Sequence, residues 1–368
     1  MIEYIHIENY KTLLEAGFPL TSLNLFSGLN GMGKSSLMQT LLLLRQSFER
    51  NTLPSKGLLL NGNYVKLGMG NDIFSVDSED DQIKFLVKWE KEPGQKFIFQ
   101  ESPDSDLLPI VSTLDIKHPA KKSLFNNHFQ YLSADRISPK SNYEISDYHI
   151  RDLNTLGNNG EYTVHYIAEN ALGKLSIKAL KHSSVKELNF LVNLEAWMSE
   201  ITPGIKILAN TQKQYNSATL SYSFIQGKDR TAEFKPQNVG FGLTYALPVI
   251  TAILRAQPGD LIVIENPESH LHPAGQSMVG KLCCIAAANG VQLFIESHSD
   301  HFLNGVRVAI KKDLIDNEAV SLFFLERPFA QTNHSSIIHN PAIDSNGRLE
   351  YWPQGFFDEW DKQLDKLL

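Results

Sequence analysis

Eight consecutive residues, Gly28-Leu29-Asn30-Gly31-Met32-Gly33-Lys34-Ser35, restrict the fold of this chain more than any other stretch. They spell G-x-x-x-x-G-K-S, the pattern of a phosphate-binding loop. The flanks agree with it. Leu23 to Ser27 is a short apolar run of strand type, and Ser36 to Arg45 consists of good helix formers. A strand feeding a glycine-rich turn that opens a helix points several backbone N–H groups at one spot. The helix N-terminus adds partial positive charge there. In that arrangement Lys34 reaches the β- and γ-phosphates of a nucleoside triphosphate, and the Ser35 hydroxyl ligates Mg2+.

Two later segments fit the same chemistry. Asp260 to Glu265 is an apolar strand ending in a carboxylate, followed by Asn266-Pro267-Glu268-Ser269-His270-Leu271-His272-Pro273. Val291 to Glu296 is a second strand of buried type, followed by Ser297-His298-Ser299-Asp300-His301. Ligands of open α/β sheets sit beyond the carboxyl ends of the strands. Lys34, Glu265 and His298 are therefore expected to serve one nucleotide. Glu265 helps hold Mg2+ or its waters, a neighbouring carboxylate orients the attacking water, and His298 senses the γ-phosphate. The histidines admit a competing reading: His270, His272, His298 and His301 with Glu265, Glu268 and Asp300 would make the metal cluster of a hydrolase or nuclease.

Composition narrows the class. With 42% hydrophobic and 20% charged residues, the chain reads as a globular protein with a large core. Its longest apolar stretches, such as Tyr245 to Leu254, reach only about ten residues, against the roughly 20 that span a bilayer. The N-terminal Met1 to Ile7 reads as a strand rather than a signal peptide. Cys283 and Cys284 are adjacent in an apolar helical pattern and read as buried thiols, which suits the cytoplasm. A net charge of −7 argues against a free-standing nucleic-acid binder. Lysine groups at 117–122 and 174–186 leave room for nucleic-acid contact through a complex.

The pattern along the chain predicts strands at 2–9 and 23–27, a helix from Lys34 to about Arg50, and an antiparallel β region over 57–130. A helical lobe is expected over 141–235, with helices near 161–171 and 186–200. The second of these places Leu188, Leu191, Leu194 and Trp197 on one face. A glycine loop at 240–242 opens a helix to about 255. Two strand–helix units cover 260–289 and 291–312, and a strand- and turn-rich tail runs over 318–368. No coiled-coil heptads and no internal repeat are present.

The G-x-N-G-x-G-K-S-S loop (Gly28 to Ser36, with Asn30, Gly31, Gly33, Ser35 and Ser36 around the phosphates), the I-E-N-P-E-x-H-L-H-P segment and the E-S-H-S stretch resemble the ABC-type ATPase heads of the RecF, Rad50/SMC and OLD group. The likeness is closest to small prokaryotic "AAA" ATPases with a C-terminal domain of unknown function, often encoded with antiphage modules. It runs nearly end to end. Asn238 to Thr244 sits where the family has its signature loop, and Ala134-Asp135-Arg136-Ile137-Ser138-Pro139 matches a family segment. Leu349 to Asp358 matches the family ending. The resemblance implies a P-loop ABC-type head of α/β class, residues 1–368 as one body, with a mixed central sheet, an antiparallel lobe and a helical lobe. It further implies bound ATP and Mg2+ and an ATP sandwich between two heads, to which Gly242 and Thr244 of one head contribute across the interface. It implies action through a separate effector, a nuclease or toxin. Arg136 then reads as a phosphate sensor or interface arginine, or equally as half of a structural ion pair.

Two departures qualify the expectation. ABC heads end this strand in Asp-Glu, whereas here the pair is Glu265-Asn266. An asparagine side chain cannot take a proton from water, so Glu265 or Glu268 carries the base role, or turnover is slow. The signature loop also lacks the usual Ser-Gly-Gly order. With slow turnover the chain reads instead as a nucleotide-gated scaffold holding an effector inactive.

Overall fold

The computed structural model describes residues 1–29, 31–327, 334–353, 355–356 and 359–367, and side chains throughout these except at 359–362. Asn30 and the tail residues Gln354, Phe357 and Asp358 lie outside the described residues. The chain forms two compact units. One comprises Met1–Asn126, Val320–Ile343 and Leu349–Leu368, and the other Asn127–Ala319 and Asp344–Arg348.

In the first unit, four antiparallel strands form a sheet in the order Leu13–Pro19, Ile2–Tyr10, Gln82–Trp89, Gln95–Gln100. Alternation fixes its faces. Ile83, Phe85 and Val87 are buried while Lys84 and Lys88 point the other way, and Ile7 pairs with Phe85 in register. The strand Leu23–Gly28 is of a different kind, since all six residues are buried. It lies parallel to Val320–Glu326, with Gly28 opposite Leu325, and that strand pairs antiparallel with Ile337–His339. Stacked Phe26 and Phe323 rings, 5.1 Å apart, fill the space beside this pairing. The helix Lys34–Glu49 follows the phosphate loop and buries Leu37, Met38, Leu41 and Leu44. Its buried Arg45 donates to the carbonyls of Leu124 (3.0 Å) and Asn126 (2.6 Å) and pairs with Glu49. A cation is tolerated inside because every nitrogen that faces the core meets an acceptor.

The second unit is organised around three parallel strands, Phe129–Leu132, Leu261–Glu265 and Gln292–Glu296, with Leu261–Glu265 in the middle. Almost every residue in them is buried, as expected for a parallel sheet covered on both faces. The helices Pro273–Ala288 and Asp300–Lys311 follow the second and third strands. Beside them stand the antiparallel pair Ile205–Gln212 and Ser217–Gln226 and the helices Thr163–Asn170 and Phe190–Ser199. The last of these starts four residues later than the apolar spacing predicts. Asn189 accepts from Val192 N at 3.2 Å and caps the helix there, so Leu188 precedes it. Leu194 and Trp197 still bury the expected face, and Trp197 Nε1 donates to Leu180 O at 2.8 Å. Cys283 and Cys284 are fully buried and unbridged, and burial pushes the Cys283 thiol up to about 12.

The two helices that follow the strand ends cross where neither has room for a side chain. A Cβ on Gly305 would lie 2.2 Å from Ser277 O, and one on Gly280 would lie 2.5 Å from Phe302 O. Gly305→Ala is therefore expected to cost about 1–3 kcal/mol of stability, the range for overpacking. The urea unfolding midpoint measures this. An unshifted midpoint would mean the crossing opens at no cost.

Candidate nucleotide site

The phosphate loop belongs to the first unit, and its shape depends on positions that only glycine fills well. Gly28, Gly31 and Gly33 have φ of 145°, 78° and 88°. A Cβ on Gly28 would strike Leu325 O at 2.2 Å, and one on Gly33 would lie 2.5 Å from Thr12 Oγ1. The helix Lys34–Glu49 begins on Gly33 with no side-chain cap, which leaves its first N–H groups directed at the loop. Lys34 is buried, and its ammonium donates to the carbonyls of Gly28 (2.9 Å) and Leu29 (2.8 Å). Gly31 is exposed, Ser35 is half-buried, and Ser36 is buried within the first turn. This is an anion-binding geometry: a glycine cradle, an uncapped helix start and a cation folded against the loop.

Two residues that sequence reasoning missed brace the loop. Ser336 Oγ donates to Met32 O at 2.9 Å, and Ser336 N donates to Thr12 O at 2.8 Å. Nothing local in the sequence marks Ser336, which is 304 positions from Met32.

The second unit holds the strand-end residues. Glu265 closes the middle strand beside Glu296 in register on its neighbour. Its carboxylate is held at both oxygens: Oε1 accepts from Tyr131 OH at 3.0 Å and Oε2 from Ala134 N at 3.1 Å. Burial pushes the Tyr131 hydroxyl pKa up, with the charge of Glu265 adding to the effect, so the phenol remains a donor. Asn266 takes a left-handed conformation, φ 45°, and its N–H donates to Glu296 O at 2.8 Å. Glu268 is 8% exposed. Its Oε1 accepts from His298 N at 2.8 Å, so the turns after the two strands are tied together. Burial raises the pKa of the Glu268 carboxyl, and the bond from the His298 N–H acts against it. The His298 side chain is exposed beyond its strand.

Arg136 is only 2% exposed, and its guanidinium is directed at backbone. Nη1 and Nη2 donate to Asn266 O, both at 3.1 Å, and Nη2 also donates to Glu265 O. Burial lowers its pKa to about 10, and the charges of Glu268 and Glu265 act the other way, so it stays protonated at neutral pH.

The glycine loop precedes the helix Phe241–Leu254, for which Gly240 stands at the N-cap with no side-chain bond. Gly242 packs closely, since a Cβ there would lie 2.5 Å from His270 O, whereas one on Gly240 would meet nothing within 4 Å. Thr244 is buried, and its hydroxyl lies beside that of the buried Tyr222. Phe241 is exposed and gathers with Tyr245 and His270, whose rings lie 4.6 Å apart. Among the described residues no group of three or more His, Cys, Asp and Glu side chains is placed to hold a metal ion.

Comparison with known proteins agrees with this geometry. A family profile described as "AAA domain, putative AbiEii toxin, Type IV TA system" matches residues 23–304. A second, "Protein of unknown function (DUF3696)", matches residues 315–367, the segment that supplies Ser336. No curated protein matches the chain. Among solved structures, an Smc head bound to the C-winged helix domain of ScpA is similar over 93% of this chain and 98% of that one, at 11% identity and a TM-score of 0.51. An Smc head with an extended coiled coil, bound to the C-terminal domain of ScpA derived from Pyrococcus furiosus, is similar over 100% of this chain and 99% of that one, at 13% identity and a TM-score of 0.53. At such identities the likeness is one of fold. The chain thus belongs to the family described as "AAA domain, putative AbiEii toxin, Type IV TA system", and its fold is that of an ABC-type P-loop ATPase head.

Proposed function

We propose that this protein is an ATP-binding and ATP-hydrolysing switch subunit that dimerises on ATP and controls a separate effector, a nuclease or toxin, in a prokaryotic defence or DNA-maintenance system. The observation that carries the reading is the uncapped helix start at Gly33 with Lys34 folded against the glycine cradle. Family membership adds the ATPase class. Lys34 holds the β- and γ-phosphates, and Ser36 closes the first helical turn behind them. In this reading Ser35 and Glu265 are the magnesium ligands. One is a hydroxyl at the helix start, the other a carboxylate whose orientation Tyr131 and Ala134 fix. When bound, Mg2+ neutralises charge on the β- and γ-phosphates. Glu265 or Glu268 takes the proton of the attacking water, and His298 registers the γ-phosphate. The loop at Gly240, Gly242 and Thr244 completes the site of a second copy. Smc heads bound to ScpA domains support the idea of a separate partner for this fold. Among the described residues no helix is long and apolar enough to cross a membrane, which suits action in the cytoplasm.

Asn266 favours a second reading, a scaffold that binds ATP tightly, turns over little and holds its effector inactive. Turnover measured beside ATP affinity separates the two.

Lys34→Ala is expected to abolish ATP binding. A labelled ATP analogue bound at wild-type affinity would remove the assignment of the loop. Glu265→Gln should leave binding largely intact and slow Mg2+-dependent hydrolysis by at least ~100-fold, as for loss of one positioned catalytic group. Unchanged turnover would put the hydrolytic site elsewhere.

Dimerisation is best tested at Gly240. Its φ of −59° suits any residue and a side chain there meets open space, whereas a Cβ on Gly242 would strike His270 O. Gly240→Asp brings a carboxylate towards the partner's γ-phosphate, and repulsion should block ATP-dependent dimers while each monomer still binds ATP. Light scattering with and without ATP reads this out. A wild-type oligomer indifferent to ATP would rule out the sandwich.

A further inference from the structure

The turn that leaves the strand Leu261–Glu265 is anchored by a buried cation. Both terminal nitrogens of Arg136 donate to Asn266 O, and one also donates to Glu265 O. A planar guanidinium holds its two terminal nitrogens in a fixed fork, so both grip the Asn266 carbonyl while one also reaches Glu265 O, a rigid geometry that a single ammonium nitrogen does not reproduce. The residue it grips, Asn266, is held at φ 45°, a left-handed conformation that asparagine adopts more readily than most side chains and glycine adopts freely. That conformation turns the chain so that Glu268, two residues on, meets His298 N.

The two carboxylates of this turn are used differently by the fold. Glu265 accepts a hydrogen bond at each oxygen, from Tyr131 and from Ala134. Glu268 accepts through Oε1 and has the Ser297 hydroxyl beside its carboxyl, while its Oε2 is buried without a close hydrogen bond, as is Asn266 Oδ1, and Arg136 Nε is buried with no acceptor.

We propose that Arg136 is a positioning residue for hydrolysis, holding Asn266 in the left-handed conformation so that Glu268, rather than Glu265, takes the proton of the attacking water. This rests on the ATPase reading above. In the step, the water oxygen bonds to the γ-phosphorus while the bond from that phosphorus to the β–γ bridging oxygen breaks. ADP keeps the electron pair, and the proton passes to Glu268 Oε2. Glu265, fixed at both oxygens, keeps the orientation a metal ligand needs.

The test is single-turnover hydrolysis beside ATP-analogue affinity and thermal unfolding. Arg136→Met should slow the step roughly 10- to 100-fold, the range for a lost orienting partner, with analogue affinity unchanged. Arg136→Lys should recover little. Asn266→Gly added to Arg136→Met should restore most of the rate, because glycine adopts positive φ unaided. Arg136→Met combined with Glu268→Gln should be no slower than Glu268→Gln alone, since the two act through one group. Multiplicative losses, no rescue by glycine, or affinity falling in step with rate would overturn the proposal. If Arg136→Met does not fold, Arg136→Lys with and without Asn266→Gly decides the same question. Wild-type protein without Lys34-dependent turnover would sink the ATPase reading itself. Wild-type turnover that survives Glu268→Gln would sink only this inference.

Discussion

Strands buried on both faces leave polar chemistry only at their ends, and the second unit is arranged around that constraint. Leu261–Glu265 is apolar until its last residue and Gln292–Glu296 is apolar between its ends, and Glu265 and Glu296 stand side by side where the strands finish. Glu296 is buried and Glu265 half-buried there, so burial of charge is offset by groups of the protein. Tyr131 and Ala134, at and beyond the end of Phe129–Leu132, meet Glu265. Arg136, a few residues further, meets the carbonyls where the strand turns. One segment thus supplies the donors that another segment's carboxylate and backbone require.

The same reasoning explains why Arg136 stays charged although burial weakens its hold on the proton. Its terminal nitrogens find carbonyls, and the charges of Glu268 and Glu265 offset part of the cost of burial. Glu268 shows the other side of that balance. The His298 N–H and the Ser297 hydroxyl both favour its charged form, yet burial outweighs them and raises its affinity for a proton. A carboxyl whose affinity for a proton is raised by burial and one held at both oxygens thus stand in different surroundings at the same turn.

In the first unit the constraint is backbone geometry. The phosphate loop needs positive φ at Gly28, Gly31 and Gly33, and close approach to Leu325 O and Thr12 Oγ1 at two of them. A tail segment then braces the loop through Ser336, so the region matched by the second family profile contributes to the nucleotide cradle itself. The tail is therefore part of the phosphate site's support, which the order of motifs along the chain does not suggest.

The loop, the helix after it and the two apolar strands ending in carboxylates were legible in the amino-acid order alone, because each is set by neighbours within a few residues: glycine freedom, apolar runs and helix propensity. The helix at Phe190–Ser199 was legible in kind but not in its start, since the hydrogen bond that Asn189 accepts from Val192 N competes with apolar spacing. What the sequence could not assign was partnership. Tyr131 holding Glu265 across 134 positions, Arg136 gripping the Asn266 carbonyl, and Ser336 reaching Met32 depend on strand register and loop path. Short-range order determined which chemistry this chain carries. Only the tertiary structure decided which of its carboxylates is held at both oxygens and which is buried against a neighbouring turn, because hydrogen-bond partners are chosen by position in space.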